Sequence, residues 1–278
     1  MSFLSREATV ARPGFNRWLV PPAAVAVHMC IGQVYAFSVF NKPLGTELGQ
    51  DVFWVNIAYQ IALAMLGISA AIFGKWVERS GPRKTMLASC CCFCGGLLIA
   101  ALGVKFKSLA LIWIGYGFVG GIGLGLGYIS PVSTLVKWFP DRPGMATGMA
   151  IMGFGGGALI GSPLAQELMN HFAPSGGTGA MKALMTMSAL YACFMLFGTF
   201  IVRVPAADWK PEGYEPKAAA AHGMITTASV SVDTAWKTPQ FWLLWTVLCM
   251  NVSAGIGVLG RAADMCQDMF GVGVAIGA

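Results

Sequence analysis

Apolar and polar stretches alternate along this chain in a simple order: seven long apolar runs, each bounded by shorter polar segments. The runs lie near Trp18–Phe40, Phe53–Phe73, Met86–Val104, Leu109–Val136, Met145–Leu168, Met181–Val202 and Phe241–Leu259. About 20 apolar residues cross a bilayer as a helix, so each run predicts a membrane-spanning helix. A transmembrane barrel would instead show alternating segments of about ten residues. The first run is too long for the apolar core of a signal peptide, and no small-residue cleavage site follows it, so it is expected to be retained.

Six runs follow one another closely before residue 203. A polar stretch then extends from Arg203 to Thr238, with Pro205, Pro211, Pro216 and the run Ala218–Ala221. This is the signature of a linker, with room for one short surface helix. Pro239 suits the first turn of the helix that follows. The expected organisation is an N-terminal segment 1–17, a six-helix bundle 18–203, a linker 204–238, a seventh helix 239–260 and a short tail 261–278.

Composition narrows the class. Of 278 residues, 56% are hydrophobic and 11% charged, against about 25% charged in an ordinary soluble domain. That leaves too few solvated side chains to cover a soluble globule, and the apolar content excludes disorder. The net charge of +6 does not indicate nucleic acid, because the cations sit between the apolar runs. With the N-terminus inside, Arg6, Arg12, Arg17, Lys75, Arg79, Arg83, Lys84, Lys137, Arg142, Arg203, Lys210, Lys217 and Lys237 are cytoplasmic. Lys42, Lys105, Lys107, Lys182 and Arg261 are outside. This is 13 against 5 of the 18 Lys and Arg, which fixes a cytoplasmic N-terminus and an outer C-terminus by the positive-inside rule. The lipid bilayer is the first predicted partner.

Seven of the eight cysteines fall inside apolar runs, where cysteine acts as a small hydrophobe. Cys91 and Cys94 have no second pair or histidine beside them, so no metal and no cofactor is predicted. No HExxH, no paired carboxylates within a span and no Ser/His/Asp set support an enzyme.

The segment between the second and third runs reads Gly74-Lys75-Trp76-Val77-Glu78-Arg79-Ser80-Gly81-Pro82-Arg83-Lys84. Gly74 is expected to let two helices approach, Gly81 to permit a tight turn, and Glu78 to join a charged network with its cations. In the fourth run, seven of the fourteen residues from Gly115 to Tyr128 are glycine. Each costs about 1 kcal/mol relative to alanine in a helix interior, so close helix packing is expected to compensate. A nucleotide-binding loop is excluded, since no β-α context surrounds these glycines. The fifth run repeats the theme with Gly153, Gly157 and Gly161.

The Gly74–Lys84 segment resembles the signature loop of the major facilitator superfamily, with Glu78 where that family usually has Asp. Lys137-Trp138-Phe139-Pro140-Asp141-Arg142-Pro143-Gly144-Met145-Ala146-Thr147-Gly148, Tyr128, Asn16-Arg17-Trp18, Gly32-Gln33-Val34-Tyr35 and Pro43 resemble the oxalate–formate antiporter family within it. The resemblance runs from about Asn16 to Leu259. It implies an all-α membrane protein: twelve helices in two six-helix halves joined by a long cytoplasmic loop. This chain would then carry the six-helix N-terminal bundle plus one helix of the second half, truncated after its seventh helix. It also implies a bacterial inner membrane, and a secondary transporter of small organic anions working by alternating access.

The resemblance matches Tyr35 and Tyr128 to cavity aromatics and Phe154 to a frequent aromatic; Gln33 is one residue displaced from a family glutamine. Asn56, Tyr59 and Gln60 share a face by their spacing. These seven residues are the expected substrate-binding set for a small carboxylate. Their hydroxyls and amides orient a carboxylate without neutralising it. Gly74, Glu78, Arg79, Gly81, Arg83, Asp141 and Arg142 are the expected conformational residues. His28, inside the first run, is either a hydrogen-bonded helix contact or a proton-coupling group; Glu167 lies toward the outer end of the fifth. Trp138 and Trp242 are expected as interface anchors.

The family's basic substrate-binding residues lie on late helices of the second half, which this sequence does not include. The polar wall of the first half is therefore expected to stand open, and the chain alone to be inactive unless it pairs with a second half or another copy. A non-transporting remnant and a seven-helix receptor are the competing readings. The cytoplasmic N-terminus and the absence of a lysine in Phe241–Leu259 oppose the receptor.

Overall fold

The computed structural model describes residues 4–173, 177–214 and 230–271. Among these residues, seven helices long and apolar enough to cross a membrane run over Arg17–Leu48, Val52–Ser80, Pro82–Lys105, Leu109–Trp138, Pro143–Phe172, Ala180–Ile201 and Pro239–Leu259. They are called spans 1 to 7. Most extend past their apolar cores, because the polar residues at the ends continue the helix into the headgroup region. Span 2 runs on from Phe73 to Ser80 and span 5 from Leu168 to Phe172. The run Ala218–Ala221 of the linker lies outside the described residues. Within the described part of the linker, Val232–Ala235 forms one helical turn. The segment after span 7 is also helical, over Ala262–Phe270.

Two spans are not uniform α-helices. In span 1 the α-helix Val20–Gly32 gives way to a 3-10 stretch, Gln33–Phe37, before Ser38–Leu48 resumes. In span 4 a π-helical stretch covers Trp113–Val119. Each change of winding rotates the side chains that follow relative to those before it.

The glycines of span 4 separate into two stripes. A Cβ at Gly117, Gly121 or Gly125 would lie 2.6–3.1 Å from the carbonyl oxygens of Ala58, Ala62 or Leu66 on span 2. A Cβ at Gly115 or Gly123 would lie 2.5–2.7 Å from backbone atoms of Gly96, Ala100 and Phe93 on span 3, and Gly127 abuts Ser89. Span 4 is therefore wedged between spans 2 and 3 at backbone distance, which offsets the propensity its glycines give up. Span 5 uses Gly153, Gly157 and Gly161 in the same way against Val25–Gln33 of span 1.

Spans 1 to 6 share a core centred on Ile31, Phe37, Phe40, Tyr59, Met86, Leu97, Leu124 and Met187. Span 7 stands apart. None of its residues is buried, and Leu243, Leu244, Val247 and Met250 are 68–73% exposed. It meets the bundle near its end, where Ile256 packs on the core and Gly260 lies against the Tyr59 ring.

One end of the bundle collects the N-terminal segment, the span 2–3 and 4–5 turns and the exit of span 6. Val10 and Val204 form a bridge, with Ala11 donating to the Val204 carbonyl at 2.8 Å and Val204 to Thr9 at 2.9 Å. The opposite end carries the span 1–2 and 5–6 turns and the helix Ala262–Phe270. There Lys42 reaches Asp268 at 3.0 Å and the Glu47 carboxylate accepts from the Thr178 N–H at 2.7 Å.

Candidate functional site

Three spans bring one set of predicted residues together. Phe154 of span 5 sits edge-on to Tyr35 of span 1 at 5.2 Å and to Tyr128 of span 4 at 5.1 Å. His28, about two turns before Tyr35 in sequence, stacks on the Tyr128 ring at 5.6 Å and meets the Phe154 edge at 6.4 Å. Phe154 and His28 are buried, while Tyr35 and Tyr128 are half-buried. Edge-to-face packing is the favoured arrangement for rings carrying a negative face. It holds both phenols in place with their hydroxyls available.

His28 is pinned at both nitrogens. Nδ1 lies 2.8 Å from the Ala150 carbonyl oxygen and Nε2 3.2 Å from the Tyr128 carbonyl oxygen. A neutral imidazole has one N–H and one acceptor nitrogen, so it can satisfy only one of two carbonyls; a protonated ring donates to both.

The second set lies apart, toward the opposite end. The Asn56 amide donates to the Gly260 carbonyl at 2.9 Å and faces Asn41 Oδ1 at 3.4 Å, while Gln60 donates to Asn56 at 3.3 Å. Asn41 donates in turn to Asp264 at 3.0 Å. Asn56 thus ties span 2 to the segment after span 7. Gln60 is exposed, and Tyr59 is buried with its ring parallel to Phe37 at 6.4 Å.

The open polar wall expected from the sequence is divided. Gln33 and Tyr59 are 0% exposed. The 3-10 winding of Gln33–Phe37 turns Gln33 into the bundle while Tyr35 meets Phe154. Gln33 therefore does not join the Tyr35 group.

The motif residues gather at the cation-rich end. Gly81 adopts φ +81°, a left-handed conformation that a side chain resists, with Arg6 Cα 3.2 Å from where its Cβ would be. Gly74 does not mark a close approach: nothing lies within 4 Å of a Cβ there. Nor does Glu78 form the expected network. It is exposed, lines a cleft of about 430 Å³ with Arg6, Lys137 and Thr134, and makes no ion pair among the described residues. Arg79 is exposed and Arg83 is 1% exposed at the start of span 3.

The ion pair that closes this end was not anticipated. Arg17 donates to Asp141 through Nη1 at 2.8 Å and Nη2 at 3.0 Å, and its Nη1 also reaches the Trp138 carbonyl at 3.2 Å. This forked hydrogen bond holds the Asp141 carboxyl below its ordinary range. Arg142 stands 3.7 Å from the same carboxylate, and Arg17 also lies over the Phe139 ring at 4.8 Å. Both Arg17 and Asp141 were visible in the conspicuous local segments; only their pairing across 124 residues was not. Trp138 corrects a second expectation. It is 1% exposed and its indole donates to the Arg203 carbonyl at 2.7 Å, so it packs inside rather than at the lipid surface. Trp242 is 51% exposed on span 7.

Comparison with known proteins gives the family. An uncharacterized MFS-type transporter, YhjX, from Escherichia coli strain K12 is 25% identical over 91% of this chain and 59% of its own length. An oxalate:formate antiporter from Oxalobacter formigenes is 25% identical over 94% of this chain and 60% of its own. An apicoplast pyruvate carrier from Toxoplasma gondii is 29% identical over 78% and 46%. The chain thus spans about half to three-fifths of the length of these relatives. Residues 23–278 match the Major Facilitator Superfamily. With seven membrane-spanning helices and this match over most of its length, the chain belongs to the major facilitator superfamily as a multi-pass integral membrane protein.

Proposed function

We propose that this chain forms the first half of a secondary transporter of small organic anions, of the oxalate, formate or monocarboxylate type, in a bacterial inner membrane with its N-terminus cytoplasmic. The observation that carries the reading is the group Tyr35, Phe154, Tyr128 and His28 at the meeting of spans 1, 4 and 5. Two phenols held by a buried ring donate hydrogen bonds to a carboxylate without neutralising it. The printed names of two relatives, an oxalate:formate antiporter and a pyruvate carrier, support a carboxylate. His28, bracketed by two carbonyl oxygens, is the candidate for proton coupling. Arg17, Asp141 and Arg142 brace the cytoplasmic end as the conformational element, with Gly81 and Arg83 beside them.

All 18 Lys and Arg lie in loops or at span ends. The cation that neutralises the substrate therefore comes from a second bundle, either a separate half or another copy. Alternating access rocks two bundles about a shared site. The 278-residue chain alone is expected to show no saturable exchange of oxalate, formate or lactate in liposomes.

The test of the site uses a full-length transporter carrying this first half. Tyr35→Phe and Tyr128→Phe each remove one hydrogen bond to a charged group, roughly 1.5–3 kcal/mol, or about ten- to a hundredfold in substrate affinity. Leu159→Ala, at a position 78% exposed on span 5, should leave exchange unchanged. Wild-type affinity in both tyrosine variants would return these side chains to helix packing.

A further inference from the structure

The two winding defects carry polar side chains that face each other inside the bundle. Gln33 opens the 3-10 stretch of span 1, and Tyr116 sits in the π-helical stretch of span 4. Gln33 is 0% exposed, Tyr116 3%, and neither Gln33 amide atom nor the Tyr116 hydroxyl has a hydrogen-bond partner. The Tyr116 hydroxyl faces the Gln33 amide without reaching hydrogen-bond geometry. Three more polar atoms share this condition. The Tyr191 hydroxyl of span 6 lies 3.5 Å from where a Cβ of Gly161 would be, and Gln33 Cγ lies 3.2 Å from the same point. Ser162, the next residue of span 5, has an unpartnered buried hydroxyl. The Tyr59 hydroxyl is likewise unpartnered, and Phe37 packs against both the Tyr59 and Tyr116 rings at 6.4 and 4.4 Å.

Five spans thus contribute unpaired donors and acceptors to the bundle interior, those of Gln33, Tyr116 and Tyr191 close together. Buried polar groups in folded proteins are nearly always hydrogen-bonded, to protein or to ordered water. Here an amide offers two donors and an acceptor, and each hydroxyl offers one donor and accepts as well. A water molecule making three or four hydrogen bonds is the complement of such a set. Polar groups that lie near one another without a well-formed hydrogen bond are commonly bridged by water.

We propose that the meeting point of the span 1 and span 4 winding defects is a buried hydration site, in which water bridges the Gln33 amide to the hydroxyls of Tyr116 and Tyr191. The site is set inside the first bundle, behind the Tyr35–Phe154–Tyr128 group and not part of it. It gives spans 1 and 4 a place to bend, because water exchanges hydrogen-bond partners as the helices move where a direct side-chain pair would have to break. It does not depend on which anion is carried.

Radiolytic hydroxyl labelling of the full chain in nanodiscs, read residue by residue by mass spectrometry, tests it. Radicals form from water at the site, so buried tyrosines beside bound water are oxidised in place. After correction for intrinsic reactivity, Tyr116 and Tyr191 should label roughly tenfold faster than Phe40, which is 0% exposed. Gln33→Leu should lower labelling at both tyrosines several-fold while leaving the exposed Trp54 unchanged. Should Gln33→Leu fail to fold, Tyr116→Phe, which keeps the ring, should lower labelling at Tyr191. Labelling of wild-type Tyr116 and Tyr191 at the Phe40 rate would overturn the proposal, as would wild-type labelling at both tyrosines in a folded Gln33→Leu protein.

Discussion

A single methyl group at Gly157 probes the crossing of spans 1 and 5, which holds the Tyr35–Phe154 contact in place. A Cβ there would lie 2.5 Å from the Met29 carbonyl oxygen and 2.7 Å from the carbonyl carbon and Cα of Gly32. All three are backbone atoms and cannot swing aside. An ordinary contact begins near 3.4 Å, so the spans must part by about 0.9 Å. A gap of 0.5–1 Å forfeits a quarter to a half of the dispersion well for the atoms lining it. Overpacking of this kind costs about 1–3 kcal/mol. Gly155 is the matched control two residues earlier on the same span, since nothing lies within 4 Å of its Cβ position. There alanine should gain up to about 1 kcal/mol of helix propensity. The two variants differ by one methyl each, yet their stabilities should diverge by roughly 2–4 kcal/mol. Thermal unfolding of the detergent-solubilised protein, followed by fluorescence-detected gel filtration, measures this. Gly157→Ala should lower Tm by several degrees and Gly155→Ala should leave it equal or higher. If Gly157→Ala proved as stable as Gly155→Ala, the backbone-to-backbone crossing would be wrong.

Two further outcomes are expected. Asp141→Asn removes the charge that Arg17 grips and should cost no more than about 1 kcal/mol, the scale of a partly exposed pair. Because the Asp141 carboxyl is held low in the folded protein, this contribution is present above its unfolded value of about 3.9. It is lost as pH falls through the lower folded value, so wild-type and Asp141→Asn unfolding curves should converge below about pH 4; a gap that persists there would assign the effect to packing. Reporters fused after Gly213 and after Ala278 should be active on opposite sides of the membrane, the first in the cytoplasm; activity on the same side would remove span 7, and a cytoplasmic Ala278 reporter with an outer Gly213 reporter would reverse the orientation.

The spans were legible in the sequence because a bilayer demands a long apolar run whatever the partner. The crowding of span 4 was legible for a similar reason: seven glycines in fourteen residues make little sense except against another backbone. The aromatic group was reached through resemblance at Tyr35, Tyr128 and Phe154. Facing within a span was less accessible. The resemblance put Gln33 and Tyr35 in one binding set, but the 3-10 stretch between Gly32 and Ser38 changes the angle per residue. Where that winding begins, Gly32 packs on the Phe154 backbone of span 5, a contact more than a hundred residues away. Arg17–Asp141 and Trp138–Arg203 escaped detection in the same way. Each partner satisfies a local rule for span ends, and only tertiary structure shows that they satisfy each other. Gly74 failed in the other direction, for a glycine in a recognisable motif faces open space.

The bridge between Val10 and Val204 bears on how the protein is made. The strand-like segment around Val10 leaves the ribosome first, but its partner follows span 6. Together with the Trp138 indole on the Arg203 carbonyl, it closes a ring around the whole six-span unit. The entropy of closing so long a loop grows only slowly with its length, so distance is little obstacle once the partner arrives. Until then the Val10 backbone lacks its partner, although Arg6 and Arg17 have the span 2–3 and 4–5 turns to pack on. Every segment that completes the ring precedes span 7 in the chain. Closure of the first six helices therefore requires nothing from span 7, which has no buried residue.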